Sequence, residues 1–149
     1  NNMADSLILG AAKVGMEISI ASPGNYEPQE DIVTIAEKIA EDSGSEIEII
    51  NDPKLAVKEA DVVYTDVWAS MGDESEAEER KEIFKDYQVN NEIMNLAASD
   101  PVFLHCLPAH RGEEVTAEVI DGENSVVFDQ AENRLHLQKS IMVKLMADN

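Results

Sequence analysis

EIEIINDPKLAVKEADVVYTD, residues 46–66, decides the fold. Its two ends, EIEII (46–50) and DVVYTD (61–66), are short runs dense in β-branched residues and read as strands. Between them Pro53 stands where a short helix would begin, a position at which its missing N–H removes no helical hydrogen bond. Working toward the amino end, EISIA (17–21) is a strand and SPGNYEP (22–28) a turn cluster. On either side of these lie two helical patterns. MADSLILGAAKVG (3–15) repeats Leu7, Ala11 and Val14 at helical spacing and stops at Gly15. PQEDIVTIAEKIAEDSG (28–44) sets Ile32, Ile35, Ala36 and Ile39 on one face and stops at Gly44.

Toward the carboxyl end, a polar loop, VWASMGDESEAEER (67–80), runs into KEIFKDYQ (81–88). VNNEIMNLAA (89–98) is expected to be helical, PVFLHC (101–106) a strand, EEVTAEVI (113–120) a helix, SVVFDQ (125–130) a strand and AENRLHLQKSIMVKLMA (131–147) a long final helix. Strand and helix alternate throughout, without internal repeats or low-complexity tracts. That order specifies an α/β fold: a Rossmann-like open parallel sheet with helices on both faces, joined by right-handed crossovers. The chain opens directly on a helix start, NNMADS, so it is expected to be a piece of a longer protein whose first strand is absent.

With 149 residues, the chain fits one domain spanning 1–149 and is long enough to bury roughly 70% of its unfolded surface. A single cysteine permits no internal disulfide, which points to a reducing, cytoplasmic compartment. There is no apolar run of the roughly 20 residues that a membrane span needs, and no signal-peptide pattern. The 31 acidic and 11 basic residues give a net charge of −20, which argues against nucleic acid and anionic membranes as partners. The same acidity fits either adaptation to high salt or an ordinary solvated surface.

In an open parallel sheet, ligands sit at the carboxyl ends of the strands. The groups expected at that rim are Asn1 and Asn2 before the first helix; Asp66, Trp68, Ser70 and Met71 after DVVYT; Cys106 and Leu107 after VFLH; and Asp129, Gln130 and Arg134 after SVVF. Each also has a structural explanation. The asparagines can cap a helix, Asp66 can end a strand, Ser70 with Gly72 can make a turn, and Arg134 can pair with Glu132 or Glu113 on the surface. Cys106 can be a small buried hydrophobe. Adjacent strand residues point to opposite faces, so His105 is badly placed to act as a base for Cys106. One cysteine and three histidines form no paired metal motif, and no metal site is expected. Neither a GxGxxG turn nor a GxxxxGK[ST] loop supports a nucleotide.

Four stretches, NNMADSL (1–7), DVVYTDVWASMGDE (61–74), HCLPAHRGEEV (105–115) and FDQAENRLHLQKSIMVKLM (128–146), together resemble the carboxyl-terminal, ornithine-binding half of the ornithine carbamoyltransferases. The resemblance covers essentially the whole chain, and HCLP points to ornithine, because the aspartate-specific relatives usually carry proline where Cys106 stands. It implies transfer of the carbamoyl group from carbamoyl phosphate to the δ-amino group of L-ornithine, giving citrulline and phosphate, without a cofactor. It also implies roles: Asn2, Asp66, Ser70 and Met71 would hold ornithine, while Cys106, Leu107 and Arg134 would meet the carbamoyl group, Cys106 and Arg134 being catalytic. The segment around Ser70-Met71-Gly72 would be a mobile flap. The family's Ser-x-Arg-Thr and His-Pro-x-Gln motifs, which bind carbamoyl phosphate, do not occur here, so this chain is expected to be inactive alone. The intact enzyme is expected to be a homotrimer. Sister enzymes using putrescine or acyl-ornithine, and a non-enzymatic amino-acid-binding module, remain as alternatives.

Overall fold

A computed structural model describes residues 1–69 and 77–147; Ser70, Met71 and Gly72, singled out above, lie outside the described residues. The first half is built from α1 (Asn2–Val14), β1 (Ile18–Ala21), α2 (Glu30–Ser43), β2 (Ile47–Ile50) and α3 (Pro53–Ala56). The second half contains β3 (Val62–Thr65), α4 (Ala77–Phe84), a 3-10 turn at Lys85–Tyr87, α5 (Asn91–Met94), β4 (Val102–His105), α6 (Ala117–Ile120) and α7 (Val127–Ala147).

The strands are parallel, as the alternation predicts. β1 pairs with β2 in the register Ile18↔Ile47, and β3 pairs with β4 in the register Thr65↔His105. Each pair is crossed by helix, which makes the architecture α/β. Among the described residues β1 bonds only β2 and β3 only β4, so the ladder is not continuous across the molecule. Two cores follow from the two pairs. Ile8 and Ala12 of α1 and Ala36 of α2 pack over Ile18, Ile20 and Ile47, residues on one face of β1 and β2. Phe103, Val63, Val89, Ile93, Val115, Val119, Ile120 and Val127 form the second, with Phe103 fully buried at its centre.

Five expectations need correction. Ile35 is 48% exposed, because α2 seats on α1 through Ala36 and Ala40, whose small side chains let the helices approach closely. VNNEIMNLAA keeps only one helical turn, α5, started by the Asn90 side chain accepting from the Ile93 N–H at 3.1 Å. In EEVTAEVI the helix begins only at Ala117; residues 114–116 instead exchange backbone hydrogen bonds with Val89. SVVFDQ is not a strand: only Ser125 and Val126 line up along β4, through bonds with Phe103, and α7 has begun by Val127. Its Val-Val-Phe core suits a strand, but the helix formers that follow carry the helix back by four residues and leave Phe128 77% exposed. Residues 77–80, read as loop, open α4.

Gly15 ends α1 with φ 73°, and a Cβ there would stand 3.0 Å from the Ser43 carbonyl oxygen at the end of α2. Gly44 ends α2 with φ 77° but faces open space. Gly15→Ala is therefore expected to cost more than Gly44→Ala, about 2 kcal/mol against about 1 kcal/mol. Denaturant midpoints of the two variants measure the difference; equal shifts would mean that the Ser43 contact is without effect.

Candidate functional site

Register determines which groups meet. Thr65 opposes His105 across the β3–β4 pair, so the next residues, Asp66 and Cys106, leave the two strands side by side. The Cys106 thiol donates to Asp66 Oδ1 at 2.9 Å, and the Val67 N–H donates to the same oxygen at 2.8 Å. Asn1 Nδ2 donates to Asp66 Oδ2 at 3.3 Å. The other end of the Asn1 amide, Oδ1, caps α1 by accepting from the N–H groups of Met3 and Ala4 at 3.1 and 2.9 Å. One asparagine thus joins the positive end of α1 to the carboxylate at the end of β3.

Tyr64, on β3, lies two residues before Asp66. Gln130 of α7 spans both strands: its Oε1 accepts from the His105 N–H at 3.0 Å and its Nε2 donates to the Tyr64 hydroxyl at 3.3 Å. Burial, with the Asp66 carboxylate beside it, pushes the Cys106 thiol up to about 11. The thiol is therefore neutral near pH 7. Burial and then Cys106 push the Tyr64 phenol well above its usual range.

Behind Cys106 the chain is held from the opposite face. His105 is fully buried, as is Glu114. The Leu107 N–H donates to His105 Nδ1 at 2.8 Å, which leaves the ring proton on Nε2, where Glu114 Oε1 accepts it at 3.1 Å. The same oxygen accepts from the His110 N–H at 2.6 Å. Burial alone would raise the Glu114 pKa, but His105, the His110 N–H and the residue's own N–H together hold it below the usual carboxylate value. Leu107 sits at φ 57°, a left-handed conformation uncommon for leucine, and precedes a cis peptide bond to Pro108. The His105–Glu114 pair clamps this turn. His105 thus faces away from the thiol, as its strand position predicted.

Of the predicted site residues, the structure brings Asp66 and Cys106 into contact and places Leu107 next to them. Asn1 rather than Asn2 touches Asp66; Asn2 opens α1 with an exposed side chain. Arg134 is exposed on α7, four residues past Gln130 and so one turn further on the same helix face. Its suggested surface partners are engaged elsewhere, Glu113 with Lys81 and Glu132 with His136. Trp68 stacks on Phe84, and Arg80 donates to its carbonyl while lying over Tyr26. Tyr64, Glu114 and the bridging role of Gln130 are additions. Two-residue periodicity could have found Tyr64, which shares a strand face with Asp66. Ligand atoms of His110, Glu113 and Glu114 lie within 4.8 Å of one another, but the carboxylates are already spent on Lys81, His105 and the His110 N–H.

Residues 1–145 match the family model described as the aspartate/ornithine carbamoyltransferase Asp/Orn binding domain. The chain belongs to this family. It is 60% identical over 148 residues to the ornithine carbamoyltransferase of Methanothermobacter thermautotrophicus, covering 99% of this chain and 49% of that protein. Among solved carbamoyltransferases, that of Pyrococcus furiosus superposes with a TM-score of 0.90 at 55% identity, over 94% of this chain and 45% of that one. The anabolic ornithine carbamoyltransferase of Campylobacter jejuni gives a TM-score of 0.95 at 40% identity, over 100% of this chain and 49% of that one. The fold is the Rossmann-like α/β fold of these carbamoyltransferases. The chain spans about half the length of the relatives it matches. Among the described residues no helix is long and apolar enough to cross a membrane.

Proposed function

We propose that this chain is the ornithine-binding part of an ornithine carbamoyltransferase, which transfers the carbamoyl group of carbamoyl phosphate to the δ-amino group of L-ornithine and releases citrulline and phosphate. The observation that carries the reading is the meeting of Asp66 and Cys106 at 2.9 Å, at the carboxyl ends of two parallel strands. A carboxylate there suits the α-ammonium of a free amino acid, and Asn2, Ser70 and Met71 complete the amino-acid site. Cys106 and the Leu107 carbonyl accept hydrogen bonds from the δ-amine, and Arg134 stabilises charge on the carbamoyl oxygen.

The chemistry requires such acceptors. An alkyl ammonium with a pKa near 10.4 must lose its proton before it attacks, at a cost on the order of 4 to 5 kcal/mol at pH 7. A thiol that donates to Asp66 keeps its sulfur lone pairs available to the amine N–H. Its raised pKa, which keeps the thiol neutral, supports a positioning and hydrogen-bond-accepting role over that of a nucleophile. Cytoplasmic location and assembly of the intact enzyme as a trimer complete the proposal.

The test is citrulline formation by the full-length protein, with putrescine and an acyl-ornithine as competing acceptors. Preference for either competitor would replace ornithine, and ornithine binding without phosphate release would make this an amino-acid-binding module instead. Cys106→Ala in that protein is expected to lower kcat about tenfold or more while the melting temperature stays nearly constant. A large loss of melting temperature with unchanged kcat would return Cys106 to a packing role.

A further inference from the structure

The donors around Asp66 are unevenly shared between its two oxygens. Oδ1 accepts from the Val67 N–H at 2.8 Å and from the Cys106 thiol at 2.9 Å, whereas among the described residues Oδ2 accepts from Asn1 Nδ2 alone, at 3.3 Å. A carboxylate oxygen has room for about two donors, so Oδ1 is full and the open position belongs to Oδ2. The Asn1 amide cannot be turned over: its Oδ1 accepts from the N–H groups of Met3 and Ala4 at 3.1 and 2.9 Å, and a reversed amide would set N–H against N–H. Nδ2 is therefore a donor whose direction the start of α1 dictates. Its bond also crosses a gap in the sheet, because among the described residues no ladder joins the β1–β2 pair to the β3–β4 pair.

We propose that Asn1 is a positioning residue for ornithine, acting through Asp66: its Nδ2 orients the carboxylate so that the open position on Oδ2 receives the α-ammonium. The same bond fixes how far Asp66 stands from Asn2, the next residue, whose exposed side chain opens α1. This role rests on the carbamoyl-transfer reading. Asn1 itself does not touch the substrate. Its two tasks use different atoms, Oδ1 for the cap and Nδ2 for the carboxylate, so substitution can separate them.

In the full-length protein, Asn1→Ser keeps a cap acceptor of similar quality, but its side chain stops short of the Nδ2 position, so the melting temperature stays within about 1 °C. With carbamoyl phosphate saturating, this variant is expected to raise the KM for ornithine about five- to tenfold and to leave kcat within about twofold. Asn1→Ala loses the cap as well: the KM rises equally, and the melting temperature falls by about 2 to 4 °C. In an Asp66→Asn background, Asn1→Ser raises the KM by less than about twofold further, because the carboxylate it would orient is gone. A KM that serine restores to the parent value, in step with the melting temperature, would make Asn1 a helix cap and overturn the proposal. A double variant whose KM equals the product of the single effects, or a change confined to kcat, would overturn it too. Absence of citrulline from the parent protein would sink the functional reading and this role with it, whereas an active parent whose KM is indifferent to Asn1→Ser would sink this role by itself.

Discussion

Glu114→Ala is expected to lower the stability of the protein by about 3 to 5 kcal/mol, the largest loss from any single polar side chain in the second core. The carboxylate is fully buried and accepts from the His105 ring and the His110 N–H. Truncation strands the fully buried His105 Nε2–H and takes the acceptor from the partly buried His110 N–H, and an unpaired buried donor costs about 1 to 3 kcal/mol before the new cavity is counted. It also loosens the turn at Leu107, whose left-handed backbone is retained because His105 Nδ1 holds the Leu107 N–H. Glu114→Gln separates charge from hydrogen bonding. Its carbonyl can take both N–H groups, and its amide would occupy the place of Oε2, which has no partner and lies 3.8 Å from His110 Nδ1. A loss of about 1 kcal/mol is therefore expected for Gln. Chemical denaturation of both variants decides the matter; equal losses would mean that the negative charge, and not the hydrogen bonds, holds the turn.

The same pair sets a pH dependence. Glu114 has a folded-state pKa below its ordinary value of 4.5, so the unfolded chain binds the proton more readily. Its contribution is fully present above pH 4.5 and is lost as the pH falls through the depressed folded value. Comparing parent and Glu114→Gln between neutral pH and that acid window isolates this contribution, since the amide does not titrate.

Pattern alone reached the fold class because strand and helix signals agreed with their neighbours. Both glycine stops, Pro53 at the start of α3 and the parallel order fall where periodicity places them. It failed where two preferences compete. Val126, Val127 and Phe128 suit a strand, yet the helix that follows takes in the last two, and Val115 and Thr116 are drawn out of a helical pattern by backbone bonds that set Glu114 beside His105. The site was legible to the extent that strand ends are. Asp66 and Cys106 meet because Thr65 and His105 are in register, a fact no local pattern contains. Asn1 displaced Asn2 at Asp66 because a cap must lie one residue ahead of the helix, and the start of α1 decides which asparagine that is.

In the proposed enzyme, Asp66→Asn and Arg134→Ala are expected to fail in different kinetic parameters, although both belong to one pocket. Asp66→Asn is nearly isosteric: its amide oxygen can still accept from the Val67 N–H and the Cys106 thiol, so folding survives at a cost of about 1 kcal/mol. What it loses is the charge opposite the α-ammonium, a ground-state interaction worth about 3 to 4 kcal/mol when enclosed, which raises the KM for ornithine roughly 10²- to 10³-fold. Discrimination against putrescine, which keeps this amine and lacks only the α-carboxylate, is little changed. Arg134 sits exposed on α7, and its removal should hardly change the melting temperature. Its work lies in the charge that develops on the carbamoyl oxygen as the amine attacks, so Arg134→Ala lowers kcat roughly 10²- to 10³-fold with little change in KM. Steady-state kinetics of the two variants in the full-length protein provide the check. Were Arg134→Ala to raise KM alone, the guanidinium would belong to substrate binding; were Asp66→Asn to leave KM untouched, the carboxylate would serve Asn1 and the thiol, and the amino group of ornithine would be held elsewhere.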